Sequence, residues 1–172
     1  MEHRSHPDFW SEPTRPEIRA ADTVEDPDLR FMLDHWRALR GDRRWPRRTD
    51  FVPRAIKRCL RMVHIYELVD NGADFRARLI GTGVFPGLAA DQTGKLVSEH
   101  PDPGVRLRFG LILTHVVKTG EPARSLARRF TGPLLHDART EGLWLPLGLD
   151  DRLEHVLAVS SLNFIAPGAG GA

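Results

Sequence analysis

Cysteine is almost absent. Cys59 is the only one in 172 residues, which excludes an internal disulfide framework and any multi-cysteine zinc or iron–sulfur site. Lysine is scarce as well: Lys57, Lys95 and Lys118 stand among 25 basic residues, a skew that assigns no function by itself. No apolar run approaches the roughly 18 residues a membrane-spanning helix needs. The opening MEHRSHPDFW has no apolar stretch of signal-peptide type. These absences predict a cytoplasmic chain with no membrane partner. Also missing are the G-x-S-x-G elbow, the phosphate loop, the H-E-x-x-H zinc motif and paired catalytic carboxylates. Gly81-Thr82-Gly83 is no dinucleotide fingerprint, because the later glycine and its helix are lacking. No two histidines are spaced as a metal pair on one helix face. The expectation is therefore a non-enzyme with no catalytic residues and no metal site.

What is present fits an ordinary globular protein. Hydrophobic residues make up 41% and charged residues 28%, close to the globular average. The length points to one domain with modest extensions and leaves no room for a kinase, cyclase or helix-turn-helix output domain. The formal net charge is +2, but its distribution is uneven. Acids crowd residues 1–35, whereas residues 36–61 carry ten Lys and Arg against Asp42 and Asp50 alone. Such a basic block can meet phosphate, an acidic partner or a membrane surface. It can equally be neutralised by the acidic segment, within the fold or across a dimer.

Hydrophobic spacing divides the chain into residues 1–26 as a loosely ordered lead-in, 27–61 as N-terminal helices and a basic connection, 62–165 as the main domain, and 166–172 as a mobile tail. Asp26-Pro27 is a helix start. Leu29, Met32, Leu33, Trp36 and Leu39 then recur at helical spacing until Gly41. Pro53 opens a second short helix with Ile56, Leu60 and Val63 on one face. HIYELV (64–69), the turn Asp70-Asn71-Gly72-Ala73 and FRARL (75–79) form a β-hairpin. Alternation places Phe75, Ala77 and Leu79 on one face and Arg76 and Arg78 on the other. Glycine and proline punctuate 81–104. A helix follows from Pro103 to about Lys118, with Val105, Phe109, Ile112, Leu113 and Val116 as its stripe. Three strands close the domain at 123–130, 142–149 and 153–162. The plan is α+β with an antiparallel sheet.

Particular residues sharpen this plan. Trp36, Leu39, Arg40, Gly41, Arg43, Pro46, Arg48, Asp50 and Pro53 make W-x-x-L-R-G-x-R-x-x-P-x-R-x-D-x-x-P. Residues 75–82, FRARLIGT, include Arg76, Arg78, Gly81 and Thr82; Asp91, Thr93 and Gly94 make D-x-T-G. Together these resemble the signatures of a short bacterial PAS-like subfamily, formerly classed as a domain of unknown function. The family has glycine two residues before the motif aspartate, where this chain has Ala89. The resemblance implies a five-stranded antiparallel sheet with covering helices and a small cavity, preceded here by a helical extension. Their simplest reading is as fold determinants: Trp36 pins the first helix to the sheet, Asp50 caps or pairs with arginine, and Asp91 and Thr93 shape a turn that Gly94 completes.

The resemblance further implies a sensory or regulatory module that binds a small, unidentified ligand and signals through a protein partner. Candidate pocket residues are Phe85, Leu88, Phe109, Ile112, Leu113, Phe130, Leu143 and Leu157; the same side chains can instead simply fill the core. Haem is disfavoured. His115 on the long helix lies roughly 120° from the centre of its apolar stripe, which leaves His100 beside Pro101. PAS-like domains often dimerise through an N-terminal helix, so Met32, Leu33 and Trp36 are expected to support a homodimer. The competing reading is a nucleic-acid-binding or protein-docking module using Arg37 through Arg61, with Arg43, Arg44, Arg47 and Arg48 at its centre. Against nucleic acid, the block interleaves only Trp45 and Phe51 as aromatics. Cys59 sits between Arg58 and Arg61, which would lower its pKa if they face it; the simpler reading is a half-buried helix cysteine.

Overall fold

The computed structural model describes residues 15–84, 91–129 and 138–164. Six strands form one antiparallel sheet: β1 (Glu17–Ala20), β2 (Val63–Val69), β3 (Asp74–Ile80), β4 (Ala123–Arg129), β5 (Ala138–Leu149) and β6 (Arg152–Phe164). Their spatial order is β1-β4-β5-β6-β2-β3. Helix α1 (Pro27–Arg40) covers one face and α2 (Pro103–Thr119) the other. The five strands expected are all present, and β1 adds a sixth. The lead-in expected over 1–26 is thus partly built into the fold: β1 pairs with β4, Ala21 is buried and Val24 is fully buried. Residues 1–14, like the tail, lie outside the described residues.

Local chemistry sets both helices. Asp26 caps α1 by accepting the N–H groups of Asp28 (2.8 Å) and Leu29 (3.2 Å), with Pro27 in the first turn. The cap is itself anchored. Glu141 of β5 accepts the N–H groups of Glu25 and Asp26, and Ser161 of β6 donates to the Asp26 carboxylate. Leu29, Met32, Leu33 and Trp36 are buried against β5 and β6, each contributing about 2 kcal/mol of transfer free energy. Asp102 caps α2 in the same manner, and Gly120 ends it. Val105, Ile112, Leu113 and Val116 are buried and Phe109 is half-buried, as the stripe predicts.

Residues 41–62 form a strap that returns alongside α1. It leaves the helix C-terminus, where Arg43 donates to the Leu39 carbonyl, and reaches the N-terminus, where Arg58 pairs with Asp28. The second helix expected from Pro53 is absent. Residues 53–59 are turns, Leu60–Met62 is a single 3-10 turn, and Val63 already begins β2. Proline started the turn, but Ile56 and Cys59 are buried by packing under α1 rather than by a helical stripe.

The hairpin forms as expected, with Asp70 and Asn71 at positive φ. The expected alternation along β3 holds only in part. A register shift opposite Ile65/Tyr66 leaves Arg78 as an extra residue. Phe75, Ala77 and then Ile80 face α2, while Leu79 turns to the α1 side.

Candidate functional site

The α2 face of the sheet carries four rings in mutual contact. His64 and Tyr66 stand two residues apart on β2, Trp144 comes from β5 and Phe109 from α2. All six pairs lie within 5.4–6.3 Å between centroids, and four are edge-on. His64 is fully buried. Its Nδ1 lies 3.1 Å from the Tyr66 hydroxyl and its Nε2 2.8 Å from Ser160 Oγ. Burial holds its pKa down to about 3 and pushes the Tyr66 phenol well above its ordinary value. A ring that stays neutral to such low pH donates at one nitrogen and accepts at the other, and makes a poor general base. The indole N–H of Trp144 donates to Ser125 Oγ at 2.7 Å.

Beside this cluster lies a cavity of about 10 Å³ between Tyr66, Ala77, Ile80, Val105, Phe109 and His100, with Gln92, Lys95, Leu96 and Val97 completing its wall. That volume holds about one water. His100 is 5% exposed. Its Nδ1 accepts the Asp102 N–H at 3.1 Å, which leaves the ring proton on Nε2; that atom is buried without a hydrogen-bond partner among the described residues. Burial, partly opposed by the Asp102 carboxylate, holds its pKa below the usual value. A haem does not fit this space, and His115 is exposed on the flank of α2.

The expected pocket residues are divided by the sheet. Phe109 lines the cavity, and Ile112 and Leu113 are buried on the same face. Leu143 and Leu157 lie on the opposite face, packed with α1. Their neighbours Trp144, Val156 and Ala158 face α2 instead. Phe85, Leu88 and Phe130, with Ala89, fall outside the described residues.

The motif residues hold the fold on both faces of the sheet. Trp36 donates its indole N–H to the Pro146 carbonyl at 2.9 Å, with the Arg40 guanidinium 5.4 Å from its ring centroid. Pro46 is buried, and its carbonyl accepts Gly148 N–H. Asp50 accepts both the Arg47 N–H (2.8 Å) and the Arg43 guanidinium (2.7 Å). Burial raises its pKa, but these partners outweigh that and hold the carboxyl below its usual range. Arg48 and Pro53 are exposed. Thr93 donates its hydroxyl and N–H to Asp91, lowering that carboxyl's pKa, and Gly94 takes φ +86°. Arg76 then joins two motifs by donating to the Gly94 carbonyl at 2.9 Å. Arg78 pairs with Glu67 at 3.4 Å. At Gly81 the chain crosses so close to β2 that a Cβ would meet the Arg61 carbonyl oxygen at 2.3 Å. Thr82 follows in an exposed turn.

Cys59 is packed rather than activated, and it sits in a turn rather than a helix. It is buried, its thiol lies 3.7 Å from the Asp28 carbonyl, and burial together with the Asp28 carboxylate pushes its pKa up to about 11. Arg58 acts on it in the other direction but is outweighed. The dimer stripe is likewise spent elsewhere: Met32, Leu33 and Trp36 are at most 2% exposed because the chain's own sheet covers them.

A long helix closing a small aromatic cavity on one face of an antiparallel sheet, with an N-terminal helix on the reverse face, defines an α+β module of PAS-like architecture. A family model described as a PAS domain matches residues 24–157, and the chain belongs to that family. The matched stretch includes α1 and the strap. No curated protein and no solved structure matches the chain. No described helix is long and apolar enough to cross a membrane.

Proposed function

We propose that this PAS domain is a non-catalytic regulatory module of the cytoplasm whose output is association with a signalling protein. The reading is supported above all by the closed α2 face. Four interlocked rings surround the sheet centre and leave about 10 Å³ beside them. An occupant of that space is of the size of water or a diatomic molecule, and a larger ligand enters only if Phe109 and His100 move. Information in such a domain passes through packing and surface rather than through a large resident chromophore. Any homodimer then uses a surface other than the covered stripe of α1.

The test is photo-crosslinking in the host cell from exposed positions on separate parts of the surface, Lys57 on the strap, His115 on α2 and Glu121 ahead of β4, followed by native mass spectrometry of the purified chain. A discrete protein adduct is expected. A chain that forms no protein adduct but retains a tightly bound metabolite overturns the reading in favour of a self-contained ligand carrier.

A further inference from the structure

The strap carries cations that no ion pair holds among the described residues. Arg43 is engaged by Asp50, Arg58 by Asp28 and by the ring of Phe31, and Arg44 lies over the ring of Trp45 at 4.4 Å. By contrast Arg47, Arg48, Arg54, Lys57 and Arg61 are exposed, and none has an acidic side chain within ion-pair distance among the described residues. The acidic segment 1–35 therefore neutralises only part of the block: Asp28 and Asp34 pair with Arg58 and Arg37, while the described Glu25 turns to Arg124.

Apolar exposure falls on the same strap. Val52 is 54% exposed and Leu60 is 37% exposed; among the described residues the other large exposed hydrophobic is Leu149. At its far end the strap borders a groove of about 510 Å³. Arg58, Arg61 and Met62 form its strap side, and Thr82, Ser160 and Ser161 form the opposite wall. This volume is of ligand or side-chain-anchor size. Asp26 and Asp28 also line it, but their carboxylates are taken by the α1 N–H groups, Ser161 and Arg58. The formal charges of the groove therefore sum to zero, Asp26 and Asp28 against Arg58 and Arg61, so the groove suits the apolar anchor while the acidic groups of a segment meet the exposed cations of the strap.

From this combination we infer that the strap and its terminal groove are the docking face for an acidic polypeptide segment carrying an apolar anchor. The inference rests on the association reading above and names the chemistry of the partner. Nine of the ten cations in 36–61 are arginine, whose planar fork suits bidentate carboxylate recognition and whose weak hydration suits protein interfaces. Val52 and Leu60 supply contact area beside the charges, and the groove accepts one side chain of the segment. A nucleic-acid backbone would use the arginines and leave both apolar groups idle. The neighbouring guanidiniums of Arg43, Arg44 and Arg58 are already held in place, which reduces the ordering cost of docking beside them.

The experiment is fluorescence anisotropy on the full chain with three probes: a short peptide alternating glutamate with leucine, its glutamine–leucine counterpart, and a duplex DNA. Phosphatidylserine vesicles are tested by co-sedimentation. Binding of the glutamate peptide alone is expected. Combined reversal of Arg47, Arg54, Lys57 and Arg61 to Glu should weaken it at least about tenfold, because exposed pairs contribute a factor of roughly 1.5 to 5 each and reversal adds repulsion. Val52→Ser with Leu60→Ser should weaken it several-fold without changing any charge. All six positions are exposed, so circular dichroism is expected to remain that of the parent chain. Preferential binding of DNA or vesicles, indifference to the Val52 and Leu60 changes, or no binding of any probe overturns the docking face. A crosslinked partner that maps to another face would do so while leaving the association reading standing.

Discussion

Trp45 lies over Gly148 so closely that the glycine has no room for a side chain. A Cβ there would meet the indole at 2.7 Å and the Arg152 carbonyl oxygen at 2.3 Å. The same indole donates its N–H to the Gly120 carbonyl at 2.8 Å. One ring therefore fastens the strap to the α2–β4 turn and to the β5–β6 hairpin. Gly148→Ala should cost about 3 kcal/mol, since the opposing atoms include backbone that cannot swing aside. Trp45→Phe keeps most of the packing and loses the hydrogen bond, so its cost should be smaller, about 1–2 kcal/mol. Urea unfolding of the two variants checks the order.

Acid should weaken the fold through His64. Its folded pKa is depressed to about 3, whereas the unfolded side chain titrates near pH 6.5. Above that value both states are neutral and the group contributes no pH dependence. As pH falls from about 6.5 toward about 3, the unfolded state binds the extra proton and stability drops by up to about 1.4 kcal/mol per pH unit. His100 and His155, depressed mainly by burial, act in the same direction. His64→Gln should flatten the slope of urea midpoint against pH, whatever it does to stability at neutral pH. An unchanged slope would assign the acid sensitivity to other groups.

Arg124 and Glu141 form a buried ion pair, 3% and 7% exposed, with Nε 2.7 Å from Oε1. Glu141 also accepts two N–H groups ahead of α1. Removing Arg124 leaves the buried Glu141 carboxylate without its cation and should cost about 3–5 kcal/mol, whereas removing Glu141 leaves Arg124 its second partner, Glu25 at 3.1 Å, and should cost less. Replacing both, Arg124→Leu with Glu141→Leu, should cost less than the sum of the single changes. Thermal unfolding of the singles and the double reads this coupling directly.

Phe109→Ala should open the closed face. The four-ring cluster loses one member next to the existing cavity, at a cost of about 3 kcal/mol. The enlarged apolar space should then bind benzene, raising the melting temperature of the variant but not that of the parent chain. Equal response of both chains would show that the parent core already admits such a ligand.

Much of the frame was legible in the sequence because its signals are local. Asp26-Pro27 declares a helix start through a side chain that reaches only two or three residues, and Pro103 marks the second start, where the structure adds Asp102 as the cap. The Asn-Gly turn and the Asp91–Thr93 turn are equally self-contained. The cavity was less legible. β5 and β6 are apolar on both faces because helices cover both, so residues 143–147 and 156–159 show no alternation from which to choose a face. Leu143 and Leu157 were one residue out of phase with Trp144 and Val156 for that reason. His64 and Tyr66 did carry a signal, two polar rings two apart on one strand, yet their value depends on Ser160 and Phe109, distant in sequence. Leu79 was misplaced by a bulge that no residue type announces.

Leu143 and Trp144 are joined by one peptide unit, yet one belongs to the layer under α1 and the other to the ring cluster under α2. The two layers consequently hang on one strand with no slack between them. Inserting or deleting a single residue in β5 would exchange the two sets of side chains, sending leucines into the ring cluster and the indole under α1.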